Sequence, residues 1–172
     1  MLKVIGAGLI LFSAMVLGAQ LKQRVAEHLR QLIGLKELLL MLSGEMSYGR
    51  TPLAEAFIHI AGQGKAPYDR LLLAVSGRME QERELALAEI WQSEARSQRE
   101  DFLLSNQEFL LLLGVGENFG YLDLAMQLAH IALSVQQVEN KIVLAQGEFA
   151  AKQRMYQYLC VMCGLFLILV LI

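Results

Sequence analysis

The chain has 172 residues, 55% hydrophobic and 19% charged, with a net charge of −2 and a sequence pI near 5.9. These values exclude an intrinsically disordered chain, a collagen and a disulfide-stapled miniprotein, and they lack the basic footprint of a nucleic-acid binder. Charge is unevenly spread: 31 of the 32 charged side chains lie between Lys22 and Arg154, a stretch long enough to bury its own core, and the two ends hold only Lys3.

From Val4 to Ala19 there is no charge. With Met1, Leu2 and Leu21 this gives about 20 residues, or ~30 Å of helix, enough to cross a bilayer. A transmembrane helix over 1–21 fits better than a cleaved signal peptide, because Leu17 stands where a cleavage site wants a small residue. The middle of the chain, 22–154, reads as helices, for there are 34 leucines, one threonine and two prolines, and no sustained period-two alternation. The first helix continues to about Met46 through Val25, Leu29, Leu32, Leu35, Leu39 and Leu42, until Tyr48-Gly49-Arg50 breaks it. Thr51 and Pro52 then restart a helix as N-cap and first helical residue, with Phe57 and Ile60 on its buried side and Gly62-Gln63-Gly64 at its end.

Pro67 opens the next helix, whose Leu71, Val75 and Met79 share one side, and a further piece surrounds Leu87, Ile90 and Trp91. Ser105-Asn106-Gln107-Glu108 is a capping box that starts a helix ahead of the run Phe109 to Leu113, and Gly114 and Gly116 close it. The last helix carries a heptad seam of Leu124, Leu128, Ile131, Val135, Val138, Ile142, Ala145 and Phe149. It is expected to pack against the first helix as an antiparallel stalk, with self-association into a homo-oligomer as the alternative use of the seam. It runs into a second apolar segment, 155–172, expected to be a transmembrane helix; Cys160 and Cys163 lie inside it and read as small packing residues.

Lys22, Arg24, Arg30 and Lys36 follow the first span and Lys141, Lys152 and Arg154 precede the second, which places the central domain in the cytoplasm against anionic lipid headgroups. The expected fold class is therefore an all-α, membrane-anchored helical bundle with transmembrane helices at both termini and a long C-terminal helix. Nothing in the chain has the spacing of a catalytic, cofactor or metal site: His28, His59 and His130 are isolated, and Gly114-x-Gly116-x-x-x-Gly120 misses the dinucleotide fingerprint. Between Arg99 and Lys141 there are acids and no Lys or Arg. Glu100, Asp101, Glu108, Glu117 and Asp123 are the candidate contacts for a basic partner, although Glu108 and Asp123 also sit at helix starts.

Two stretches carry a family resemblance. Tyr48-Gly49-Arg50-Thr51-Pro52-Leu53-Ala54-Glu55-Ala56 resembles the Y-G-x-T-P-L-x-E-A signature of the stage III sporulation protein AB family. Gly116-Glu117-Asn118-Phe119-Gly120-Tyr121-Leu122-Asp123 resembles the G-E-x-x-G-x-L-D motif shared with the cytoplasmic domains of the type II secretion F platform family, and Asp123 with Gln127 also matches the sporulation pattern. The resemblance implies a non-enzymatic platform subunit of the channel-like complex between mother cell and forespore, in the mother-cell membrane that faces the forespore. It also implies contact with a secretion-type ATPase, stage III sporulation protein AA, and with other stage III sporulation complex proteins. The alternative is a pore-lining transport subunit, which two spans without an ionisable residue apart from Lys3 near an edge, and the count of two helices per chain, do not favour without oligomerisation.

Overall fold

Leucine recurring at spacings of three and four, with few β-branched residues or breakers, produces long helices. The computed structural model describes the backbone of residues 2–48, 52–117, 119 and 123–171, and the side chains of 20, 23–48, 52–117, 119 and 123–147. The helices are α1 (Leu2–Tyr48), α2 (Leu53–Gln63), α3 (Tyr68–Gln81), α4 (Leu87–Ser97), α5 (Asn106–Glu117) and α6 (Leu124–Leu171), with a 3-10 turn at Arg99–Asp101 between α4 and α5. No strand occurs among the described residues, so the all-α expectation holds. The backbone is helical through both apolar ends, but their side chains lie outside the described residues, as do those of Lys22, Phe149, Lys152, Arg154, Cys160 and Cys163. Among the described residues no helix is long and apolar enough to cross a membrane.

The chain forms two compact units, one of Met1–Leu29 with Val143–Ile172 and one of Arg30–Ile142. The early part of α1 thus shares a unit with the late part of α6, the order an antiparallel pair requires. In the second unit Leu32, Leu35, Leu39 and Leu42 of α1 are buried, as the spacing predicts, and Lys36 of α1 meets Glu139 of α6 at 2.7 Å. Of the α6 seam, Ile131 and Val138 are buried, Leu128, Val135 and Ile142 are half-buried, and Leu124 is exposed. The seam therefore packs within the chain, and the part of it in this unit does not serve a second copy. The shorter helices contribute Phe57 and Ile60, Leu71 and Val75, Ile90 and Trp91, and Leu112 to the core.

A polar node that the sequence does not announce fixes three of these elements. Gln31 on α1 is buried; its Nε2 donates to the Asp101 carbonyl at 3.2 Å and its Oε1 accepts from the Leu103 amide at 2.7 Å. The Tyr68 hydroxyl at the start of α3 donates to the Gln31 carbonyl at 2.9 Å. Gly34 makes room for that ring, since a Cβ there would stand 3.1 Å from Tyr68 Cε2. Each buried polar group is thereby satisfied, which leaving it unpaired would cost about 1–3 kcal/mol.

Burial, and secondarily the charge of Glu108, push the Tyr68 phenol well above its ordinary value. A raised pKa means that the native state keeps the proton after the unfolded state has lost it. Its stabilising share is complete below about pH 10 and is lost as pH rises above that. Replacing Tyr68 by Phe is expected to lower stability by about 1 kcal/mol at neutral pH and to flatten the loss of stability above about pH 10. Thermal unfolding of the detergent-solubilised chain, followed by fluorescence of its single tryptophan, measures both effects.

Candidate functional site

The acidic candidates divide along α5. At its start the capping box closes as the sequence predicts: the Ser105 amide donates to Glu108 Oε2 at 2.7 Å and the Glu108 amide donates to Ser105 Oγ at 3.4 Å. Glu108 is only 5% exposed. Its carboxylate is spent on the helix N-terminus and shielded from solvent, which corrects its reading as a partner contact. Glu100 and Asp101 lie beside it on the 3-10 turn, exposed and without an ion pair among the described residues. The neighbouring cation does not neutralise them. Arg99 instead donates to the carbonyls of Phe102 and Leu104 at 2.8 and 2.9 Å and lies 4.5 Å above the Phe109 ring.

At the other end, Gly114 and Gly116 do not stop α5, which continues to Glu117. The reason lies in packing. Trp91 is fully buried under Gly116, and a Cβ at Gly116 would overlap the indole ring, so the position needs glycine for close approach and not for a turn. The indole Nε1 donates to the Leu112 carbonyl at 2.9 Å, and the ring contacts Phe57 and Phe119, each with centroids 6.0 Å away. Phe119, a variable position of the motif, is thus a core residue. Glu117 is exposed at the helix end, where its Oε1 accepts from Gln92 Nε2 at 3.1 Å. Asp123 is exposed just before α6, and its carbonyl accepts the Gln127 amide at 3.0 Å. Gly120 and Leu122 lie outside the described residues.

The twelve residues of α5 span ~18 Å, so Glu100 and Asp101 do not share a surface patch with Glu117. The α5 start faces the point where α6 leaves the unit, for Lys141 Nζ donates to Gln107 Oε1 at 2.9 Å. In the first signature Tyr48 is 87% exposed, Leu53 is half-buried, and Gly49 and Thr51 lie outside the described residues. Pro52 is the N-cap of α2, one place earlier than its expected role as first helical residue. Its ψ of 140° is extended while its carbonyl already accepts the Ala56 amide at 3.0 Å. His59 Nδ1 pairs with Glu45 at 2.7 Å and so fastens α2 to α1; no group of residues suited to hold a metal ion occurs among those described.

A family model described as stage III sporulation protein AB matches residues 3–172, both apolar ends included. The chain belongs to the stage III sporulation protein AB family. It is 30% identical over 171 residues to the stage III sporulation protein AB of Bacillus subtilis (strain 168), an alignment that covers 99% of each chain. A solved structure of stage III sporulation protein AB superimposes with a TM-score of 0.67 at 27% identity, covering 72% of this chain and 97% of that one. As a member of this family the chain is a subunit of a sporulation complex.

The two glycines of α5 separate packing from helix propensity. Gly116→Ala is expected to destabilise by about 1–3 kcal/mol through overpacking on Trp91. Gly114→Ala, where a Cβ meets nothing within 4 Å, is expected to gain up to about 1 kcal/mol. Thermal unfolding of the two variants measured side by side checks the contrast.

Proposed function

We propose that the chain is a non-enzymatic platform subunit, anchored in the mother-cell membrane at both ends, whose helical bundle docks a cytosolic secretion-type ATPase resembling stage III sporulation protein AA. Support for the anchor comes from the two apolar terminal segments, which hold no charge but Lys3, each continuous in helical backbone with a long helix of the bundle. Nucleotide hydrolysis belongs to the partner. The observation that carries the docking assignment is the split of the acids along α5.

The chain enters the bundle at Arg30 and leaves it at Ile142. The Asp101 carbonyl is bonded to Gln31, one residue past the entry, which puts the Glu100–Asp101 turn beside the point where the chain enters this unit, the side from which the proposed anchor extends. There anionic headgroups compete for space and oppose its charge. Glu117 stands at the opposite end of α5 and Asp123 at the head of α6, ~28 Å of helix away from the exit at Ile142. The two exposed carboxylates there favour a basic docking face.

Reversing the distal pair, Glu117→Lys with Asp123→Lys, is expected to weaken capture of the purified ATPase about tenfold at low salt. Glu100→Lys with Asp101→Lys is expected to leave capture unchanged. Equal capture by the distal double variant, with its unfolding transition intact, rejects the assignment.

A further inference from the structure

We infer that a second copy of this chain packs, parallel and in register, on the outer face of α6. With its inner seam turned into the core, α6 shows solvent a second stripe: Met126, Ala129, Leu133, Gln136 and Asn140 follow one another at spacings of three, four, three and four, and all five are exposed. Met126 is 61% and Leu133 52% exposed, large apolar side chains that a lone bundle would leave in water. In sequence the spacing continues at Val143 and Gly147. This is the 3.5-residue repeat by which one helix meets another along its length, present twice on the same helix. Only the inner copy is occupied within the chain.

Charge selects the occupant. The chain has no Lys or Arg between Arg99 and Lys141, so a copy-to-copy contact made through the exposed acids of the 3-10 turn or the α5–α6 junction opposes like charges. From Leu124 to Val138 α6 carries no Asp, Glu, Lys or Arg at all. Two copies meet there without repulsion, and Glu139 at the flank is already held by Lys36 of its own chain. The polar positions suit a like partner too. An amide both donates and accepts, so Gln136 and Asn140 each pair with their own counterpart across a two-fold axis. With Met126 and Leu133 assigned to heptad position a and Ala129 and Gln136 to d, Asn140 falls on a, where a single asparagine sets a parallel, two-stranded register at a cost in stability. Small or polar d residues make the pairing weak and reversible. Neither the ATPase nor the identity of the anchor enters this pairing, so its failure leaves the platform assignment standing.

The test uses the full chain in its membrane, with Cys160 and Cys163 replaced by serine and single cysteines introduced at Leu133 or Asn140. Mild oxidation is expected to give covalent dimer at both positions. A cysteine replacing Leu73, which is 52% exposed on α3, is expected to give at least fivefold less. Adding Leu133→Glu to the Asn140→Cys chain is expected to cut its dimer yield at least fivefold while leaving tryptophan-detected unfolding in place. Absence of dimer at Leu133 and Asn140, equal yield at Leu73, or an undiminished yield with Leu133→Glu overturns the inference.

Discussion

The seating of Trp91 under Gly116 is the contact on which the arrangement of the bundle depends. The indole is too large for a helix–helix gap of ordinary width, and the missing Cβ at Gly116 lets α5 come down onto α4. The ring then touches Phe57 of α2 and Phe119 beyond α5, while its N–H is satisfied by the Leu112 carbonyl. One side chain thereby joins α2, α4, α5 and the segment leading to α6. A glycine in a helix normally weakens it by about 1 kcal/mol relative to alanine, and here that cost is offset by burial of an aromatic worth several times as much.

The consequence for function is directional. Because α5 is held along its length on α4, its two ends are held apart, and the acids that look like one cluster in sequence become two sites. The capping box and the Gln31 node lock the first end to α1. Trp91 and Phe119 support the second, where Glu117 emerges at the last residue of the helix. A motif that reads as a partner signature is thus half packing: its glycine and its phenylalanine face inward, and its carboxylates face outward.

Much of the fold was legible in the residues. Leucine spacing, the Ser105–Glu108 box and the Gly64 and Pro67 breaks place most helix boundaries because each acts locally, through periodicity or through a backbone group within four residues. The rest depends on contacts distant in sequence. Nothing near Gly116 shows that its neighbour is Trp91, and nothing near Gln31 shows that its amide will serve Asp101 and Leu103, some seventy residues on. Glu108 looked available because a capping glutamate is commonly wet; its 5% exposure appears only once the bundle is packed. The α6 seam was visible, but its two stripes could be told apart only when one of them was filled by the chain itself.

The central claim is that the bundle is held on the cytoplasmic side by both of its ends. The direct measurement is thiol accessibility of single cysteines replacing Tyr48 and Leu110, 87% and 63% exposed, in a chain whose Cys160 and Cys163 are serine. A membrane-impermeant reagent is expected to label both positions in inverted vesicles and neither in intact cells. Labelling of either position in intact cells would contradict the topology and, with it, the docking of a cytosolic ATPase.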